Sequence, residues 1–263
     1  MKAIFNPLEK FTTLLFKINS LIKFIKLRYL DFVPRSDDIF VVTYPRSGTT
    51  WLEMILYQLT TDGNMDFTHI SERCPWFERS PLVETDLESF PSPRIFKSHL
   101  SYRWIPKGPC KYIDVARNGK DVAVSFFHFY TTHLGFKGTF SEFFDLFIRG
   151  KLPASGSWFK HVSGWWSHKE DSNVLFLKYE DLTHDLDSCI QKIIALCELE
   201  VESERFTDIL EKCSFTFMKE HESKFDHLTE FLLENGFKQG SFVRKGQGNK
   251  REHTQVIAIR PLS

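Results

Sequence analysis

Arg46, Ser47, Thr49 and Thr50 crowd around Gly48 in the stretch Thr43-Tyr44-Pro45-Arg46-Ser47-Gly48-Thr49-Thr50-Trp51. One guanidinium and three hydroxyls at this spacing can surround an anion. The flanks fit that chemistry. An apolar run from Ile39 to Val42 leads in, and a segment of helical period, Trp51 to Leu59, leads out. A strand entering a helix through a short turn gathers unpaired backbone N–H groups at one point, and the positive end of the helix dipole adds to them. The turn is therefore an expected site for a phosphate-like group. The Walker A pattern does not fit it, because there is no first glycine and no lysine after Gly48.

Three further strand candidates end on polar residues: Arg94 to His99 on Lys97-Ser98-His99, Lys111 to Arg117 on Arg117-Asn118, and Asn173 to Tyr179 on Tyr179-Glu180-Asp181. Helical segments are expected at about Lys120 to Tyr130, Phe140 to Ile148, Trp158 to Lys169, Glu180 to Cys197 and Glu202 to Lys212. Strands alternating with helices predict one α/β domain over 1–263, a central parallel sheet with helices on both faces. In such sheets ligands sit beyond the carboxyl ends of the strands. All four polar clusters should therefore meet at one crevice. Residues 62–93, with Gly63 and Pro75, Pro81, Pro91 and Pro93, read as irregular surface segments. Trp165 and Trp166 read as core, and Phe126, Phe127, Phe129 and Tyr130 as core or pocket wall.

Lys and Arg together number 34, as do Asp and Glu, so no global charge argues for nucleic acid. The 27 Phe, 7 Tyr and 6 Trp exceed what a core needs and suit a site that grips flat rings. Five cysteines without a CxxC pair predict reduced thiols and a cytoplasmic protein. Between Lys10 and Arg28 there are five basic residues, no acid, and apolar residues at helical spacing. This basic amphipathic helix, within residues 1–30, is too interrupted to span a bilayer. Docking on the domain is its simpler reading, with weak contact of residues 5–30 to a membrane surface as the alternative.

Taken together, these motifs resemble those of the soluble, cytosolic-type sulfotransferases that use 3′-phosphoadenosine 5′-phosphosulfate (PAPS). The turn is similar to that family's TYPKSGTTW phosphosulfate loop. Phe96-Lys97-Ser98-His99-Leu100 resembles its K-x-H-L segment, and Arg117 to Ser125 its R-x-x-K-D-x-x-x-S block. Leu177 to Leu182 matches its YEDL, and Phe242-Val243-Arg244-Lys245-Gly246 its F-x-RKG. The resemblance implies a P-loop-like fold, PAPS as sulfuryl donor and no metal. It implies a small hydrophobic acceptor bearing a hydroxyl or an amine.

Carried over residue by residue, the resemblance assigns the 5′-phosphosulfate to Arg46, Ser47, Gly48, Thr49, Thr50 and Trp51. Trp51 would also lie against the adenine, with Phe215 on its other face and Tyr179 at its polar edge. Arg117, Ser125, Arg244, Lys245 and Gly246 would clamp the 3′-phosphate through charge-assisted, bidentate contacts. His99 would be the general base, since a neutral imidazole can take a proton from an acceptor hydroxyl. Arg46 and Lys97 would stabilise charge on the oxygen that the sulfuryl group leaves.

The sequence departs from the family pattern in three places. Arg46 replaces the usual lysine, and Cys213 the usual threonine before Ser214-Phe215. After Gly246 the segment Gln247 to Ser263 lacks the family's tryptophan and reads as atypical or truncated. That end is expected to weaken cofactor retention and does not supply the family's dimer motif, so the oligomeric state stays open. The alternative function is a nucleotide-binding relative with weak or no activity. An ATP-using kinase is a third reading, against which the missing Gly-Lys-Ser/Thr counts.

Overall fold

A computed structural model of the chain describes residues 32–78, 86–153 and 155–225, together with Ile18, Ile22 and Ile25. Its centre is a four-stranded, wholly parallel sheet. The strands are β1 (Ile39–Val42), β2 (Ile95–Ser98), β3 (Lys111–Ala116) and β4 (Val174–Lys178), in the spatial order β2-β1-β3-β4. The helices are α1 (Thr49–Thr60), α2 (Gly119–His133), α3 (Phe140–Ile148), α4 (Trp158–Trp166), α5 (Tyr179–His184), α6 (Leu186–Cys197), α7 (Ser203–Lys212) and α8 (Phe215–Glu220). The single helix expected after β4 is two, because Asp185 leaves helical geometry and caps α6 by accepting from the Ser188 N–H.

Side chains alternate across the strands as the two-residue period requires. Ile39, Val41, Ile95, Ile113 and Val115 pack into one cluster with α1, α6 and α7. Phe40, Val42, Phe96, Tyr112 and Val174 pack into a second cluster that includes Trp165 of α4. Both faces of the sheet are covered, as expected of a parallel sheet. A third cluster joins Tyr44 to Phe126, Tyr130, Phe143 and Phe147.

Two sequence expectations fail on packing. Residues 62–78 are irregular but not superficial: Met65, Phe67, Ile70, Cys74 and Phe77 are buried. Their backbone lies along the free edge of β2, where Lys97 N–H donates to Pro75 O (3.0 Å) and Phe77 N–H to Lys97 O (2.7 Å). Proline content marked a loop, and hydrogen bonding to a sheet edge made it part of the core. Trp166 is 48% exposed although its neighbour Trp165 is fully buried, because adjacent helical positions point about 100° apart.

At the N-terminus, Ile18, Ile22 and Ile25 are helical and exposed. The expected helix otherwise falls outside the described residues. Among the described residues no helix is long and apolar enough to cross a membrane. The five cysteines are free thiols.

Asp114, in the middle of β3, is fully buried, and among the described residues neither carboxylate oxygen has a partner at full hydrogen-bonding geometry. His161 Nε2 is 3.7 Å from its Oδ1 and 3.3 Å from Val42 O. Burial pushes the Asp114 carboxyl above the aspartate range, and His161 offsets this in part. The folded protein thus holds this proton more tightly than the unfolded chain, so stability falls as pH rises through and above the ordinary aspartate range. Asp114→Asn is expected to raise the melting temperature at pH 7 by about 2–4 °C, equivalent to about 1 kcal/mol. The gain should vanish near pH 3–4. A melting temperature at pH 7 that is unchanged or lower contradicts this account.

Candidate anion and acceptor site

Because every strand is parallel, the segments that follow β1, β2, β3 and β4 emerge on the same side of the sheet. The turn after β1 is tight. Arg46 has φ 69° and Gly48 has φ 105°, both in the left-handed region. That conformation is strained for arginine and natural for glycine. A Cβ at Gly48 would lie 3.0 Å from Tyr179 Cδ2, so glycine is also what lets the turn pack against the end of β4. Gly48 is the N-cap of α1 and has no side chain with which to cap the helix. The first-turn N–H groups are thus left for an anion.

Arg46 Nε donates to Ser125 Oγ (3.3 Å) from α2, and its guanidinium lies 5.2 Å from the centroid of Phe129. Arg117 Nη1 donates to the Arg46 carbonyl (3.1 Å), bracing the strained residue. The Arg117 guanidinium also sits 4.3 Å over the Tyr179 ring. Burial pushes the Tyr179 hydroxyl pKa up, opposed by Arg117 and Arg46, so at neutral pH it stays a neutral donor. Among the described residues, Ser47 Oγ and Arg117 Nε are buried without a hydrogen bond. Two orphaned donors beside an uncapped helix start are what an anion-binding turn requires.

Register explains the position of His99. Val42 pairs with Ser98, so His99 comes level with Thr43 just beyond the sheet. His99 Nδ1 lies 2.7 Å from Thr43 O. A carbonyl can only accept, so Nδ1 carries the proton and Nε2 the lone pair of the neutral ring. Glu78 Oε1 accepts the His99 backbone N–H (2.8 Å), and the Trp76 ring meets the imidazole edge-on at 5.0 Å. Lys97 is 2% exposed, 3.7 Å from Glu53 Oε2 and 5.0 Å from the Trp76 centroid.

On the other flank, Trp51 meets Tyr179 edge-on at 5.7 Å, and its Nε1 donates to Cys213 O (2.7 Å). The Cys213 side chain is wholly buried, and burial pushes its thiol well up. That sulfur offers nothing to a ring held by Trp51. Phe215 opens α8 and is 39% exposed.

Of the residues singled out from sequence, the structure brings Arg46, Ser47, Gly48, Thr49, Thr50, Trp51, Arg117, Ser125 and Tyr179 around one turn. It sets His99 at that turn's foot. Arg244, Lys245 and Gly246, like the altered segment after them, lie outside the described residues. Sequence reasoning missed Glu53 and Glu78. Glu53 had a signal, a carboxylate on the apolar face of a helix, whereas Glu78 had none, being one polar residue in a loop.

The sequence pattern of the sulfotransferase domain matches residues 36–256. An amine sulfotransferase of Oryctolagus cuniculus is 37% identical over 239 residues, covering 86% of this chain and 78% of the relative. The human sulfotransferase 1C2 is 35% identical over 240 residues, covering 86% and 80%. Among solved structures, mouse sulfotransferase SULT7A1 complexed with PAP superposes with a TM-score of 0.67 at 30% identity, covering 88% of this chain and 82% of that one. Retinol dehydratase in complex with androsterone and inactive cofactor PAP gives a TM-score of 0.72 at 25% identity, covering 88% and 78%.

Proposed function

The chain belongs to the sulfotransferase-domain family and is a PAPS-dependent sulfotransferase, and from that premise we propose how its own residues carry out the transfer. The observation that carries the proposal is the hydrogen bond from His99 Nδ1 to Thr43 O, which turns the basic Nε2 of a neutral ring to the task beside the anion turn.

PAPS supplies an activated sulfuryl group. The turn from Arg46 to Trp51 binds its 5′ end through first-turn N–H groups, hydroxyls and the Arg46 guanidinium. Trp51, Tyr179 and Phe215 receive the adenine. Arg117 and Ser125 hold the 3′-phosphate, with Arg244, Lys245 and Gly246 completing the clamp. His99 takes the acceptor's proton as a new bond forms between sulfur and the acceptor oxygen or nitrogen. The bond from sulfur to the 5′-phosphate oxygen breaks, and that oxygen keeps the electron pair. Arg46 and Lys97 stabilise the charge it gains.

Aromatic walls beside both reacting groups, Trp76 at His99 and Phe129 at Arg46, support a small hydrophobic acceptor with a hydroxyl or amine. The free thiols fit a cytoplasmic setting. Among the described residues no group of three or more His, Cys, Asp or Glu side chains is arranged to hold a metal ion.

The test combines binding with turnover. Adenosine 3′,5′-bisphosphate, but not ATP or ADP, is expected to raise the melting temperature by mass-action linkage. Single-turnover transfer from PAPS to a panel of phenols, alcohols and amines should give a sulfated product. Binding without transfer to any acceptor would favour an inactive nucleotide-binding relative. A shift equally large with ATP would sink the 3′-phosphate assignment.

A further inference from the structure

Glu53 lies in the second turn of α1, the helix that starts at the anion turn, among Leu52, Met54, Ile55 and Leu56. It is fully buried, and among the described residues neither carboxylate oxygen has a partner at full hydrogen-bonding geometry. Its polar neighbours are the Thr50 hydroxyl of the anion turn and Lys97, whose Nζ is 3.7 Å from Oε2; burial pushes the Glu53 carboxyl above the ordinary glutamate range, and Lys97 and then Thr50 oppose this. Burying a carboxylate and an ammonium costs several kcal/mol per ion, and a well-packed apolar pair is often at least as stable. The pair therefore calls for a reason other than stability. Lys97 stands two residues before His99 on β2, and Glu53 three residues after Thr50. The contact thus links the two segments that meet at the site. A lysine at this depth without an acidic neighbour readily becomes neutral.

We propose that Glu53 is a positioning residue for sulfuryl transfer, its carboxylate keeping the Lys97 ammonium charged and held toward the anion turn. The proposal rests on the reading of Lys97 as a stabiliser of the leaving oxygen. Other groups face this pair from every side. The Cys74 thiol donates to the Glu53 carbonyl oxygen at 3.9 Å. Burial, and then Glu53, push that thiol up, with Lys97 opposing. His69 is held below its ordinary range by burial and then by Lys97. His99 and its partner Glu78 lie just past the end of β2. Cys74 stays a neutral thiol and His69 a neutral imidazole at pH 7. That leaves Glu53 as the acid able to set the charge of Lys97 from α1.

The test is a pH profile of single-turnover transfer from PAPS, using whichever panel acceptor reacts. In Glu53→Gln, Lys97 loses its counter-charge and its pKa falls, so the ammonium survives at low pH and is lost as pH rises. Transfer should be near wild type at pH 6 and at least about 10-fold slower at pH 8–9, the scale of losing one charged donor to the leaving oxygen. Glu53→Asp keeps the charge but withdraws it, and should shift the fall by a smaller amount. In Glu53→Gln combined with Lys97→Arg, the guanidinium needs no partner to stay charged, and the alkaline activity should return. A structural role would instead lower the melting temperature and slow transfer equally at every pH, without rescue by Lys97→Arg. That result, or an unmoved profile, overturns the proposal. Lys97→Met with Glu53 intact separates the two layers. If Lys97→Met leaves the rate unchanged, the reading of Lys97 itself fails. If it collapses the rate while Glu53→Gln leaves the profile unmoved, only the role of Glu53 fails.

Discussion

His99→Ala is expected to slow sulfuryl transfer by about 10²- to 10⁴-fold, the range that a positioned general base contributes. The affinity for adenosine 3′,5′-bisphosphate should stay within about 2-fold, because the groups proposed to hold the nucleotide lie on the Arg46 turn and around Trp51 and Arg117, not on the imidazole. The geometry makes the effect specific to chemistry. Nδ1 is committed to Thr43 O at 2.7 Å and the backbone N–H to Glu78, so one bond orients the ring and the other fixes the main chain that carries it. Single-turnover rates and calorimetric nucleotide binding measured on one preparation check the split. A variant that transfers within 10-fold of wild type would remove His99 from the role. A variant that loses nucleotide binding in parallel would make His99 a structural support of the turn instead.

Arg94→Ala should produce the largest loss of stability, about 3–5 kcal/mol, and lower the melting temperature by about 10 °C. Arg94 is 1% exposed at the entry of β2. Its Nε and Nη2 grip Asp38 Oδ1 and Oδ2, each at 2.7 Å, and its Nη1 donates to Glu88 Oε1 at 2.8 Å. Nη2 also reaches Val33 O, and the guanidinium lies over Phe32 and Phe96. Truncation leaves Asp38 buried with its charge uncompensated, and that penalty dominates. Asp38→Leu combined with Arg94→Leu removes both charges and should recover most of the loss. Chemical denaturation of the single and double variants decides the matter. Equal destabilisation in both would assign the effect to lost packing on Phe32 and Phe96 rather than to the stranded charge.

The anion turn was legible because its chemistry is local. Strand, turn and helix follow one another within about twenty residues, so residue type and period were enough to single out Arg46, Ser47, Gly48, Thr49, Thr50 and Trp51 as candidates on one turn. His99, Arg117 and Tyr179 were legible one step further out. A parallel sheet forces all strand ends to one side, and the register then puts His99 beside Thr43. Residues 62–78 were misread as surface because hydrogen bonding to the β2 edge leaves no mark in composition. Trp166 was misread because two adjacent tryptophans give no clue to which one faces the sheet.

The sequence by itself determined the fold class, the polar strand ends and the turn proposed to bind an anion, since each rests on patterns between near neighbours. Tertiary structure alone decided which charges meet. Glu53 facing Lys97, Arg94 locked to Asp38 across 56 positions, and Glu78 holding His99 all join residues far apart in the chain. A buried charge is stable only opposite its partner. That partner is chosen by sheet register and helix docking, which no local spacing encodes.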